Sequence, residues 1–165
     1  MTKTSQHLMD AFAGESQANR KYLAYAKQAD KEGKKEVAKL FRAAAAAETV
    51  HAHAHLRAAN GIGSTAENLK DAIAGETHEF KSMYPEMIKD ADAEGEKDAL
   101  RSFTYANEVE EIHANLYQKA LDNIDNPTPV DAYYVCSVCG YTVADEKPDK
   151  CPVCGSGEKA FERID

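Results

Sequence analysis

The sequence has no run of 18 consecutive apolar residues, so nothing in it reads as a membrane-spanning helix. Its opening, Met1-Thr2-Lys3-Thr4-Ser5-Gln6-His7, lacks the apolar stretch of a secretory signal, and a cytoplasmic location is expected. No basic cluster offers a footprint for phosphates, and a formal charge of −8 argues against nucleic acid as a partner. No Gly-x-Gly-x-x-Gly occurs, so any nicotinamide chemistry has to be done by another protein. Cysteine is absent until position 136, and all four lie in two Cys-x-x-Cys pairs near the C-terminus. That spacing suits a metal rather than a disulfide scaffold, and it fits a reducing compartment. The 165 residues leave room for a sizeable core and a small appendage.

What is present is mostly helix. From about Ser5 to Lys31 there is no proline, and Leu8, Ala11, Phe12, Ala18, Tyr22, Tyr25 and Ala26 recur at helical spacing. Gly33 breaks this run. A second spans about Lys35 to Ala59 and holds the unbroken alanines 43–47, strong helix formers that allow close helix approach. Asn60-Gly61-Ile62-Gly63-Ser64-Thr65 stops it, with Ser64 or Thr65 as a cap for the third run. That run extends to about Glu94, with a kink expected at Pro85, and Gly95 ends it. The fourth covers about Lys97 to Asn123, before the linker Asp125-Asn126-Pro127-Thr128-Pro129.

The four runs are two copies of one hairpin. Ala13-Gly14-Glu15 recurs as Ala74-Gly75-Glu76, Glu32-Gly33 as Glu94-Gly95, Phe41 as Phe103, and His51-Ala52 as His113-Ala114. The offset is 61 at the start of each copy and 62 afterwards. Each second helix carries a Glu-x-x-His: Glu48 with His51, and Glu110 with His113. Residues three apart share a helix face, and a carboxylate beside an imidazole is a pair that transition metals take. One such motif is weak, but two in register are not. Adding Glu15 and Glu76 gives the carboxylate-bridged di-metal set of ferritin-like bundles. Carboxylates gathered inside a bundle repel one another unless cations hold them. Glu79 adds an asymmetry, because it shares the face of Glu76 while its repeat partner is Ala18. His7, His53 and His78 read as solvated polar positions, and His55, one turn beyond His51, as able to face inward.

In the tail, Cys136-Ser137-Val138-Cys139-Gly140 and Cys151-Pro152-Val153-Cys154-Gly155 form two knuckles. The glycine after each pair is expected to turn with positive φ and to point its N–H at a thiolate. Four thiolates make a closed tetrahedral site that accepts zinc or a single iron. Zinc would make the tail a structural or interaction module. Iron would cycle one electron, and it is the better fit beside a di-metal site that needs electrons.

With these motifs in place, the chain resembles the rubrerythrins over nearly its full length. The resemblance implies a mainly α fold, a ferritin-like antiparallel four-helix bundle over residues 1–124. A linker over 125–131 and a small rubredoxin-like β domain over 132–165 follow. It implies two non-haem irons, oxo- and carboxylate-bridged, held by Glu15, Glu48, Glu76, Glu79, Glu110 and His113. His51 would replace Glu79 on one iron in the reduced state, and Tyr22 and Tyr84 match tyrosines beside the carboxylates. A third iron would sit among Cys136, Cys139, Cys151 and Cys154. The implied activity is reduction of hydrogen peroxide, with electrons from an external reductase or rubredoxin; a ferroxidase or iron-handling protein is the alternative.

Two distances suggest at least a dimer. From Glu110 to the end of the fourth helix is about 21 Å, which is expected to leave a chain's own tetrathiolate centre too far from its di-metal site. A head-to-tail partner would supply a nearer one. Within one chain, a locally closed bundle has to return about 33 Å between the second and third helices. Six connecting residues reach only about 20 Å. A helix-swapped dimer, each site taking one hairpin from each chain, removes that conflict.

Overall fold

The structure is a computed structural model, which describes residues 2–165. Helix α1 spans Lys3–Lys31, α2 Lys35–Ala58, α3 Thr65–His78, α4 Tyr84–Glu94 and α5 Lys97–Asp122. Between α3 and α4 lies one π-helical turn, Glu79–Met83. The kink expected at Pro85 is therefore a change of helical register just before it, and the proline sits in the first turn of α4, where a missing N–H costs least. No helix among the described residues is long and apolar enough to cross a membrane.

The chain divides into two compact units, one ending at Gly63 and the other beginning at Ser64. In the first, α1 and α2 pack as a hairpin on small residues: Ala26, Ala29, Ala38, Ala45 and Ala52 are all buried. Asn19 pins the two helices together, its Nδ2 donating to the Ala45 carbonyl at 2.7 Å and to Thr49 Oγ1 at 2.8 Å. Arg42 and Asp30 close the turn end with a 2.7 Å ion pair.

The second unit opens on a capping box. Ser64 Oγ accepts from the Glu67 N–H, while the Glu67 carboxylate accepts from the Ser64 N–H at 2.8 Å, as the Ser64 expectation requires. Here α3 and α4 pack against α5, with Ala91, Val109 and Ala114 buried. Strands β1 (Tyr133–Cys136), β2 (Thr142–Ala144) and β3 (Phe161–Ile164) form an antiparallel sheet in the order β2-β1-β3. Tyr134 pairs with Val143 on one side and with Arg163 on the other.

Candidate metal centres

Each hairpin gathers its own cluster. In the first, Glu15, Glu48 and His51 bring one ligand atom each to within 4.8 Å of one another; in the second, Glu76, Glu110 and His113 do the same. The local cause is the i, i+3 spacing, which sets His51 Nδ1 2.9 Å from Glu48 Oε2 and His113 Nδ1 2.8 Å from Glu110 Oε2. The helix paired with each adds the third group. His51 Nδ1 is 4.0 Å from Glu15 Oε1, and His113 Nδ1 is 3.9 Å from Glu76 Oε1. The two clusters therefore repeat each other to within 0.1 Å in both distances.

The tyrosines follow the same repeat. Tyr22 stacks on Phe41 at 6.2 Å between ring centroids and 35° between planes, and Tyr84 on Phe103 at 6.3 Å and 37°. Burial raises the Tyr84 phenol above its ordinary value, and the carboxylates of Glu79, Glu110 and Glu76 raise it further. Burial and the neighbouring Glu110 likewise raise Glu76. Glu79 is raised first by burial and then by Glu76.

Glu79 is not part of either compact cluster among the described residues, and it occupies the first position of the π turn. This turn was missed from the sequence, although its signal was present. The repeat offset is 61 at Glu15/Glu76 and 62 at Tyr22/Tyr84, so one extra residue lies between Glu76 and Tyr84. A π turn absorbs one extra residue within a continuous helix. His7, His53 and His78 are exposed and His55 half-buried, in keeping with their reading as polar positions.

The four cysteines converge, Cys136 and Cys151 buried and Cys139 and Cys154 half-buried, with no disulfide. Their Sγ atoms lie 3.6 Å apart for Cys136 and Cys154, and 3.5 Å for Cys139 and Cys151. A tetrahedron with metal–sulfur bonds of about 2.3 Å has edges of about 3.8 Å, so the cage already has the size of a tetrathiolate site. Gly140 and Gly155 have φ of 86° and 74°, as the knuckles require. Their N–H groups, however, do not point at sulfur. They donate to the carbonyls of Cys136 and Cys151, and the N–H groups of Tyr141 and Ser156 reach Cys139 and Cys154 instead. Burial pushes Cys139 up. At Cys154 burial raises the thiol, but the Ser156 hydroxyl and N–H, together with Cys151 and Cys139, bring it down to about 6.

The position of this cage corrects a second expectation. The chain does not run on past α5 but turns back, and a shallow cavity of about 200 Å³ lies between Leu116 and Ala120 of α5 and Pro127, Val130 and Tyr133. The tail then rests on α5 beside the second cluster: a Cβ at Gly140 would lie 3.6 Å from Val109 Cγ1, and Thr142 Oγ1 is 3.0 Å from His113 Nε2. A chain's own tetracysteine knuckle is thus next to its own His113, not remote from it. The length of α5 does not separate the two because the linker returns along the helix. Thr142, too, was invisible in the sequence, since nothing periodic links it to a residue 29 positions earlier.

Paired carboxylate–histidine clusters on repeated helical hairpins, together with a four-cysteine cage in the tail, define a di-iron protein of the ferritin-like kind carrying a rubredoxin-type centre. The chain belongs to the rubrerythrin family: the rubrerythrin profile matches residues 6–121, and the profile of the rubredoxin-like domain of rubrerythrin matches residues 134–162. It is 37% identical to rubrerythrin-2 of Clostridium acetobutylicum, over 96% of this chain and 95% of that protein. It is 36% identical to nigerythrin of Nitratidesulfovibrio vulgaris, over 96% and 85%. Among solved structures it is similar to the mixed-valence and the fully reduced, all-ferrous states of nigerythrin, with TM-scores of 0.59 and 0.60. These are 33% and 32% identical, and each comparison covers 99% of this chain and 88% of that one. Membership implies a peroxidase-type enzyme.

Proposed function

We propose that the chain is a non-haem di-iron peroxidase that reduces hydrogen peroxide to water, as defence against oxidative stress. Each turnover consumes one peroxide, two electrons and two protons and releases two waters. The observation that carries this reading is that the tail bearing the tetracysteine cage packs on α5 beside the carboxylate–histidine cluster of Glu76, Glu110 and His113. A protein that only stores iron has no use for such a cage. Iron, where the two clusters hold it, would supply Lewis acidity and electrons for cleavage of the O–O bond.

In this reading Glu15, Glu48, Glu76, Glu79, Glu110 and His113 hold two irons, and Cys136, Cys139, Cys151 and Cys154 hold a third. Residues 1–124 form the di-iron domain and residues 132–165 the electron-entry domain, joined by 125–131. Glu79 and His51 would be the alternative ligands, a neutral imidazole suiting a ferrous ion and a carboxylate a ferric one. Glu79, once released from the metal, would be the carboxylate placed to hand a proton to the departing oxygen. Tyr84, its phenol raised by burial and then by the carboxylates of Glu79, Glu110 and Glu76, would be the hydroxyl beside one half of the site, with Tyr22 in the matching place. Electrons come from an external NAD(P)H-dependent reductase or a rubredoxin.

The functional unit is at least a homodimer with exchanged hairpins. Helix α2 ends at Ala58 and α3 begins at Thr65, so the helices are as long as the closure argument assumed. The link still falls short of the roughly 30 Å return that a locally closed bundle needs.

The test is anaerobic. The fully reduced, iron-loaded protein is mixed rapidly with peroxide or with dioxygen, and the return of ferric-thiolate colour is followed. Peroxide is expected to be the faster oxidant. Faster reoxidation by dioxygen would make the chain a ferroxidase instead.

A further inference from the structure

His113 has two faces. Its Nδ1 looks toward Glu110 and Glu76, while its Nε2 lies 3.0 Å from Thr142 Oγ1. Thr142 Oγ1 is also 2.9 Å from the Gly140 carbonyl. A carbonyl oxygen only accepts, so the single hydroxyl hydrogen of Thr142 is committed to Gly140. Toward His113 the hydroxyl is then an acceptor, and Nε2 must carry the hydrogen. Nδ1 lies 2.8 Å from Glu110 Oε2, an acceptor as well, so a cation entering the cluster takes the place of a hydrogen at Nδ1 while Nε2 keeps its own, the form in which an imidazole binds a metal.

The mount is rigid. Thr142 pairs with Val135 of β1, next to Cys136, so the sheet that carries the first knuckle also sets the height of the hydroxyl. Gly140 directly follows Cys139 and packs over Val109, which is 2% exposed. His51, the repeat partner of His113, is 55% exposed against 26%, a difference that matches the cover the tail gives to His113.

We infer that Thr142 is a positioning residue with two linked roles: it holds His113 in the metal-ligating tautomer, and it joins the tetracysteine knuckle to that ligand. The join is a hydrogen-bonded path from Gly140 through the Thr142 hydroxyl to the His113 imidazole, all within one chain. One electron at a time crosses it, and no bond along it is made or broken. The inference rests on the peroxidase reading only for its second role.

The test compares Thr142→Val, which keeps the shape but not the hydroxyl, with Thr142→Ser, which keeps the hydroxyl. In full-length, zinc-loaded protein with ¹⁵N-labelled histidine, NMR reports the His113 tautomer. Wild type and Thr142→Ser are expected to hold a protected Nε2 proton, and Thr142→Val to exchange it at least about tenfold faster. In iron-loaded, reduced protein, Thr142→Val is expected to slow the return of ferric-thiolate colour by about tenfold or more at unchanged iron content. Thr142→Ser should stay within about twofold of wild type. A Thr142→Val protein that matches wild type in both measurements overturns the inference. So does a Thr142→Ser protein as slow as Thr142→Val, because shape rather than the hydroxyl would then decide. Should peroxide fail to reoxidise even the wild type, the peroxidase reading falls, while the zinc-protein spectrum still decides the bond to His113.

Discussion

At the scale of single residues, Asn19 has the clearest energetic role outside the metal clusters. It is 8% exposed, and both of its amide hydrogen bonds cross from α1 to α2, where every other buried residue is alanine. Alanine contacts are shallow, so the hairpin depends on that amide for alignment as well as for strength. Asn19→Ala is expected to lower the stability of the metal-free chain by about 1–2 kcal/mol. A lower urea midpoint at an unchanged m-value would show it. The clustered side chains were legible because their logic is local. Glu48 and His51 meet through one helical turn, as Cys136 and Cys139 meet through one knuckle, and each can be read within four positions of sequence. The contact of Thr142 with His113 obeys no such local rule. It depends on where a ten-residue return path lays a strand.

At the scale of elements, the π turn of Glu79–Met83 is the feature that separates the two hairpins. Upstream of it Glu76 keeps the offset of Glu15, and downstream Tyr84 keeps that of Tyr22, so the irregularity is confined to one turn. Deleting Lys81, an exposed residue inside it, should convert the segment to regular α-helix. The expected outcome is unchanged helix content by circular dichroism, with the Glu79 carboxylate displaced and reoxidation by peroxide slowed by about tenfold or more. Normal kinetics in the deletion would detach Glu79 from the chemistry. The helix ends were also readable, since Ser64 with Glu67 and Gly95 carry their own stop and start signals. The π turn needed the two copies to be laid side by side before its extra residue became visible.

At the scale of the whole molecule, hairpin exchange makes a prediction that no single-chain bundle shares. One variant carries Glu15→Ala with Glu48→Ala, and a second carries Glu110→Ala with His113→Ala. Neither alone can complete a site. In an exchanged heterodimer one of the two sites takes an intact hairpin from each chain. Co-refolding equal amounts should therefore restore about a quarter of the wild-type di-iron content, half of the dimers each holding half of the sites. Iron analysis at no more than the level of the separate variants would exclude exchange. The repeat also bears on how such a chain can change over generations. A duplicated hairpin starts with two equal halves, and an inserted residue ordinarily swings everything after it by about 100° around the helix. Here the insertion is taken up within five residues, and Tyr84 still meets Phe103 as Tyr22 meets Phe41. The second copy thus carries a further carboxylate at Glu79, while its Glu76, Glu110 and His113 keep the spacing of Glu15, Glu48 and His51.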